Sequence, residues 1–215
     1  HRLNEEGIDY CVLRNYESLP NSLGGSDLDI LFSPQYFSKA NDILSDIADR
    51  HGLKCIATLK ADRVLTRIFL GAPKGFWWGG RFDAFAYIGT NGCDILSVEH
   101  VLKRAITYNG IRVASSSDAS IMSFLKDIIG SGTDHKHYQK NASLSFNKEK
   151  HIFIPILKRY FGSTCVHSRI VPLLENRPID LRYAQKVIKK SWLFTNMIKD
   201  FKRTAILRFM DYCHR

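Results

Sequence analysis

The sequence lacks both a long apolar run and any cysteine spacing typical of a metal site or a disulfide framework. Its longest apolar stretches, such as residues 152–157, fall far short of the roughly 20 residues that a membrane-spanning helix needs. No charged and then apolar segment opens the chain as a signal peptide would. The five cysteines are scattered, without a C-x-x-C pair, so we expect reduced thiols. Together these absences predict a cytoplasmic location.

Length and charge describe a chain of one or two domains with an uneven charge distribution. At 215 residues, 45% of them hydrophobic, it can bury a full core. It begins at His1 rather than Met, which predicts a piece of a longer protein. Residues 148–215 carry the whole net charge of +10, and residues 1–147 are balanced. The basic third predicts either a surface for a polyanion, a phosphate or an anionic membrane, or a solvated helical face without a partner.

Strand patterns dominate the first half of the chain, and helical patterns dominate the second. Strands are expected at residues 8–14, 26–32, 53–59, 62–71 and 81–89, with the last two paired as a hairpin. Helices are expected at residues 33–52, begun by Ser33 and Pro34, at 97–106, and at 117–130, begun by Ser117 and ended by Gly130.

The last third contains a polar stretch and a helical stripe. Residues 131–150 are predicted to be a linker or a mobile loop. Further on, apolar residues recur at helical spacing, which predicts a face that packs on the core or docks on a neighbouring domain, with a membrane-surface helix as the alternative. These residues are Phe194, Met197, Ile198, Phe201, Ala205 and Phe209.

The stretch GGSDLDILF, residues 24–32, places two carboxylates on one strand. Residues i and i+2 of a strand share a face, so Asp27 and Asp29 point the same way while Leu28, Ile30 and Phe32 point into the core. Two adjacent carboxylates repel each other unless a proton or a cation lies between them. This predicts a site for Mg²⁺ or Mn²⁺; the alternative is two aspartates that decorate an edge strand.

A second strand, RFDAFAYI, offers a third carboxylate, Asp83. If this strand lies beside the first, three carboxylates converge, and such a trio can hold two cations about 3.5 to 4 Å apart for phosphoryl or nucleotidyl transfer. Magnesium keeps waters and takes other ligands from substrate phosphates. Gly25 and Ser26 are candidates for lining the site, because backbone N–H groups next to a glycine pair can approach a phosphate closely.

These two segments resemble the nucleotidyltransferase fold of the DNA polymerase β superfamily, in which a Gly-Ser turn precedes a D-x-D strand and a neighbouring strand carries a third carboxylate. The resemblance covers residues 1–130. The chain is similar in particular to nucleotidyltransferase-like proteins of bacterial surface-polysaccharide gene clusters. Some of these continue into a P-loop domain, but no G-x-x-x-x-G-K-[ST] motif is present here.

The resemblance implies an α/β (α+β) fold: a mixed sheet flanked by helices over residues 1–115, then a helical, basic region over residues 116–215. It implies metal-dependent transfer of a nucleotidyl group from a nucleoside triphosphate to a hydroxyl or phosphate acceptor, such as a sugar, sugar phosphate or glycan. Asp27 and Asp29 would bind the cations. Asp83 would share a cation and help to activate the acceptor hydroxyl.

The chain departs from the family pattern where the Gly-Ser turn is expected, because residues 13–16 read LRNY. Two alternatives follow. In the first, Arg14 contacts phosphate in place of the backbone turn. In the second, the chain is a catalytically degenerate module that binds nucleotide or positions a partner domain.

Further candidates have weaker sequence signals. Arg63 and Arg67 are predicted to reach a triphosphate or to be solvated. Lys126 is predicted to bind phosphate, as a lysine in such folds does, or to be solvent-exposed. Trp77 and Trp78 are predicted to stack on a base or sugar or to cover the sheet edge. The pair His135 and His137 has no third ligand nearby, and Asp94 is interpreted as non-catalytic. Nucleic-acid binding through the basic third is a separate hypothesis, although no recognised motif supports it.

Overall fold

A computed structural model describes residues 1–23, 27–61, 63–72, 75, 77–90, 93–130, 135–199 and 201. The chain divides into two compact units. The first consists of His1–Ile88 and Ser97–Ser115, and the second of Gly89–Leu96 and the chain from Ser116 onward.

The secondary structure is mixed in the first unit and mainly helical in the second. The strands are β1 Tyr10–Val12, β2 Leu28–Phe32, β3 Leu53–Ala61, β4 Val64–Gly71, β5 Trp78–Phe85, β6 Ile88–Thr90, β7 Cys93–Leu96, β8 Ile106–Tyr108 and β9 Ile111–Val113. The helices are α1 Arg2–Glu5, α2 Phe37–Arg50, α3 Val98–Lys103, α4 Ser116–Gly130, α5 His135–Phe161, α6 Ser163–Cys165, α7 Val171–Leu174 and α8 Leu181–Lys199.

Seven strands of the first unit form one mixed sheet in the order β3-β4-β5-β2-β1-β9-β8. The pairs β2–β5 and β1–β9 are parallel, and the other neighbours are antiparallel. The predicted hairpin is confirmed, since β4 pairs with β5 from Val64↔Phe85 to Gly71↔Trp78. The predicted α/β class with a helical C-terminal region is confirmed as well. Because β2 lies between β5 and β1, the alternative of an edge strand for the two aspartates is wrong.

Helix α2 covers one face of this sheet. Ile30 and Phe32 of β2, Leu65 of β4 and Ala84 of β5 form one buried cluster with the α2 residues Ala40 and Ile43. The alternating pattern of β2 therefore orients its apolar residues as predicted, with Ile30 and Phe32 toward the core. Because successive strand residues point to opposite faces, the side chains of Asp29 and Asp83 lie on the face that α2 does not cover.

Helix boundaries differ from the predictions at three positions. Ser33 precedes a short 3₁₀ turn over Pro34–Tyr36, and α2 follows from Phe37. Ser117 lies inside α4, which begins at Ser116, while the predicted end at Gly130 is confirmed. The helix expected over residues 97–106 is the shorter α3, capped by the Ser97 hydroxyl, which accepts a 3.4 Å hydrogen bond from the His100 backbone N–H.

The second unit has a buried core made of helix side chains. Fully buried members are Ile121, Phe124, Leu125, Phe146, Phe153, Leu157, Phe161, Ile188 and Trp192. Strand β7 packs against α4, α5 and α8, and the Trp192 indole N–H donates a 2.8 Å hydrogen bond to the backbone carbonyl of Asp94 on β7.

The prediction of a linker over residues 131–150 is wrong from His135 onward, because α5 begins there. The helix is anchored by buried Ala142 and Phe146, four residues apart, and continues past a non-helical Glu149 to buried Phe153 and Leu157. Its few apolar positions are enough to pack one face although the stretch is polar overall. Residues 131–134 lie outside the described residues.

The C-terminal apolar stripe is not core-facing. Phe194, Ile198 and Phe201 are each about two-thirds exposed, and α8 buries instead Ala184, Ile188 and Trp192. Ala205 and Phe209 lie outside the described residues. No helix in the described part of the chain is both long and apolar enough to span a membrane.

Candidate functional site

Strands β2 and β5 bring two predicted carboxylates side by side. Their parallel pairing sets Asp29 directly opposite Asp83. Both residues are buried, at 4% and 6% exposure, on the sheet face opposite α2. Asp27 immediately precedes β2 and its side chain is 42% exposed. The two neighbouring strands thus hold two buried carboxylates in one row, with a third at its rim.

Arg14 pairs with the first of these carboxylates. Its Nε–H donates a hydrogen bond to Oδ2 of Asp29, and its own side chain is 49% exposed. The residue is held in place because the Leu13 backbone N–H donates a 2.9 Å hydrogen bond to the Asp29 carbonyl. Asn15 follows with φ 57°, a left-handed conformation that asparagine tolerates better than most residues. The LRNY segment therefore bends just after β1 and places Arg14 beside Asp29.

Arg81 pairs with the other two carboxylates. It comes from β5, two residues before Asp83 and therefore on the same face. Its Nε and Nη2 lie 3.2 and 2.9 Å from the two carboxylate oxygens of Asp83, and its Nη1 lies 3.4 Å from Oδ2 of Asp27. The hydrogen bond to Asp83, followed by the charges of Asp83, Asp27 and Asp29, raises the pKa of Arg81. One guanidinium thus bridges two carboxylates.

The donor atoms of the cluster suit a hard divalent cation, since all are carboxylate oxygens. Asp27, Asp29 and Asp83 are the residues that would hold it. In the part of the chain that the structure describes, no group of three or more His, Cys, Asp or Glu side chains is already gathered as a metal site. Asp29 and Asp83 instead each contact a guanidinium, that of Arg14 and that of Arg81.

A cleft of about 360 Å³ opens beside the cluster. It is lined by Ser22, Leu23, Asp27, Trp78, Gly79, Gly80 and Arg81. Gly80 is needed for the packing of its wall, because a Cβ there would lie 2.7 Å from Cη2 of Trp78 and 3.1 Å from Cδ1 of Leu23. The lining of the cleft therefore includes an aromatic side chain, two glycines of β5 and a charged pair, Asp27 and Arg81.

The other predicted basic residues are Arg63, Arg67 and Lys126. Arg67 donates to the Asn41 backbone carbonyl at 2.9 Å and to the Ser45 hydroxyl, both on α2, so it faces away from the carboxylates. The Arg63 guanidinium lies 4.6 Å from the centre of the Tyr87 ring. Lys126 is on α4 in the second unit.

The remaining predictions concern glycine, serine and aromatic residues. Gly25 and Ser26 lie outside the described residues. Trp77 is 80% exposed, while Trp78 lines the cleft and packs against Phe82 at a ring distance of 6.2 Å. Asp94, interpreted as non-catalytic, is on β7 in the second unit.

Sequence reasoning missed Arg81, although a signal for it was present. The residue stands two positions before Asp83 on a strand, and the period of two puts both side chains on one face. The contact of Arg81 with Asp27 was not predictable from the sequence, because it depends on the pairing of β2 with β5.

Comparisons with known proteins give little further information. No protein-family model and no curated protein matches the chain. Among solved structures, the crystal structure of JHP933 from Helicobacter pylori is similar to it, with a TM-score of 0.42, 12% sequence identity and coverage of 97% of this chain and 92% of that chain. Values this low do not assign the chain to a family.

Proposed function

We propose that the chain is a metal-dependent nucleotidyltransferase. It would move a nucleotidyl group from a nucleoside triphosphate to a hydroxyl or phosphate acceptor, with release of pyrophosphate. The observation that carries the proposal is the alignment of Asp29 with Asp83 on adjacent parallel strands, with Asp27 joined to Asp83 through Arg81. Two carboxylates buried side by side need positive charge next to them, and bound divalent cations would supply it.

The proposed roles follow from position and charge. Asp27, Asp29 and Asp83 would hold Mg²⁺ or Mn²⁺, which when bound neutralises phosphate charge and polarises the phosphoryl oxygens. Arg14 and Arg81 are half exposed and can donate to phosphate oxygens, for which the guanidinium fork is well shaped. Trp78, which lines the cleft, would stack on a base or sugar.

A second candidate function is a non-catalytic module of the same kind of fold that binds a nucleotide or another phosphate-bearing ligand. The observation that favours it is the pairing of Asp29 with Arg14 and of Asp83 with Arg81, which balances the buried carboxylates without a metal. Such a module would bind phosphates through the arginines and release no pyrophosphate.

The deciding experiment is a calorimetric titration of the purified protein with a panel of nucleoside triphosphates, with and without Mg²⁺, together with a pyrophosphate-release assay. For the enzyme we expect metal-dependent binding that is lost in Asp27→Asn/Asp29→Asn, and turnover that is lost in Asp29→Ala while the melting temperature changes little. Metal-independent binding without pyrophosphate release would favour the second candidate. No binding by a folded protein would overturn both.

The proposal includes partners and a location as predictions. The acceptor would be a small molecule or glycan, as in surface-polysaccharide synthesis, and the location cytoplasmic.

A further inference from the structure

The Arg81 guanidinium lies where a cation bridging two carboxylates would lie. Three of its contacts, at 2.9, 3.2 and 3.4 Å, go to carboxylate oxygens of Asp83 and Asp27. Arg14, by contrast, contacts Asp29 through one nitrogen. The bridging pattern is the one expected of a ligand shared between carboxylates rather than of an isolated surface ion pair.

The charges of this cluster need such a partner. Asp27, Asp29 and Asp83 carry three negative charges, of which two are nearly fully buried. Arg14 and Arg81 supply two positive charges, so these five side chains sum to one negative charge. Like charges this close raise each other's energy unless they are compensated, and loss of either guanidinium leaves a buried carboxylate uncompensated.

Arg81 is also the partner that can leave. Its side chain is 48% exposed, and it lines the 360 Å³ cleft as well as the carboxylate cluster. A long side chain with this exposure can turn its guanidinium from the carboxylates toward the cleft without unpacking the core. The side chain of Asp83, only 9% exposed, stays fixed on β5.

We propose that Arg81 is a built-in counter-ion of the carboxylate cluster, and that a divalent cation binds to Asp27 and Asp83 only as the Arg81 guanidinium moves away toward the cleft. The inference rests on the proposed function, because it takes the cluster to be a cation site. Arg81 then competes with the metal, and its displacement brings a positive charge to the place where a phosphate-bearing ligand would lie. The residue sets the metal affinity and couples it to the binding of an anion.

The test is Mn²⁺ binding, measured as loss of the free-ion electron paramagnetic resonance signal, for the unmodified protein and for Arg81→Ala and Arg81→Gln. We expect Mn²⁺ to bind at least about tenfold more tightly to both variants, since a unit charge a few ångströms from the site is removed. Arg50→Ala is the matched control: it removes the same charge from an exposed pair with Asp46 on α2, on the other side of the sheet. Arg50→Ala should change the Mn²⁺ affinity less than about twofold, because salt largely screens an exposed charge on the other side of the sheet.

A second readout is thermal stability. Without metal, Arg81→Ala should melt at a lower temperature than the unmodified protein, and Mn²⁺ should raise its melting temperature more. Equal Mn²⁺ affinity in the unmodified protein and both Arg81 variants, with loss in Asp29→Asn, would overturn the inference and leave the proposed metal site intact. Absence of Mn²⁺ binding in every folded variant would overturn both. Tenfold tightening in Arg81→Ala that Asp83→Asn abolishes would support it.

Discussion

Asp29 and Asp83 lie directly opposite each other on parallel strands, and each carboxylate is paired with an arginine of its own. The backbone pairing of β2 with β5 fixes the spacing of the carboxylates, while half-exposed side chains fix their charge balance. The two contributions are separable by mutation. A change to an arginine alters the electrostatics and leaves the sheet register in place.

Removal of Arg14 should destabilise the first unit through Asp29. The carboxylate of Asp29 is 5% exposed, and it would lose a charged hydrogen bond that water replaces only in part. We expect Arg14→Ala to lower the free energy of unfolding by about 1–3 kcal/mol. Urea unfolding followed by circular dichroism measures this.

The double variant Arg14→Ala/Asp29→Asn tests the cause of that loss. It should recover most of the stability, because the uncompensated charge is gone. Arg50→Ala is the control, since Arg50 forms an exposed pair with Asp46 at 2.7 Å within α2, worth at most about 0.5 kcal/mol. A double variant as unstable as Arg14→Ala would show that Arg14 acts through packing and not through Asp29.

A methyl group at Gly80 should reshape the cleft. Its Cβ would lie 2.7 Å from Trp78 and 3.1 Å from Leu23, so the indole must shift. We expect Gly80→Ala to change the tryptophan emission spectrum and to cost about 1–3 kcal/mol, as overpacking usually does. At the neighbouring Gly79 the nearest atom is the flexible end of Leu70 at 3.3 Å, so Gly79→Ala should leave both properties nearly unchanged. The same response in both variants would contradict this account of the wall.

The candidate site was more predictable from the sequence than the helical region. Alternation on a strand places Asp27 and Asp29 on one face, and the same rule applies to Arg81 and Asp83. The residues that contact these side chains from other parts of the chain were not predictable in this way. Arg14 reaches Asp29 across 15 residues of sequence, and no local pattern specifies which arginine fills that place.

Short or polar elements were the ones that sequence patterns did not identify. At the turn between β8 and β9, Asn109 and Gly110 both have positive φ, 49° and 76°, as Asn-Gly hairpin turns require. The flanking strands β8 and β9 have only three residues each, too few to show a period. The first half of α5 is mostly polar, and Ala142 and Phe146 are its buried apolar residues. Tertiary packing rather than composition therefore stabilises this helix.

The two faces of α8 should respond very differently to truncation. Trp192 is completely buried and its indole N–H donates to Asp94, whereas Phe194 is 68% exposed. We expect Trp192→Ala to cost about 3–5 kcal/mol and Phe194→Ala to stay within about 0.5 kcal/mol. Urea unfolding of both variants measures the difference. A large loss in Phe194→Ala would mean that the exposed stripe is covered by another part of the protein or by a second copy.

Acid should weaken the anchor between α5 and the end of α7. Glu175 pairs with Lys150 of α5 and with Arg177. The hydrogen bond from Lys150, ahead of the nearby charges, lowers the pKa of Glu175 below its usual 4.5. A lowered pKa in the folded state contributes stability above about pH 4.5 and loses it as the pH falls through the folded value. The melting temperature of Glu175→Gln should therefore lie below that of the unmodified protein at pH 7, and the gap should close toward pH 3. A gap independent of pH would assign the effect of Glu175 to its shape rather than its charge.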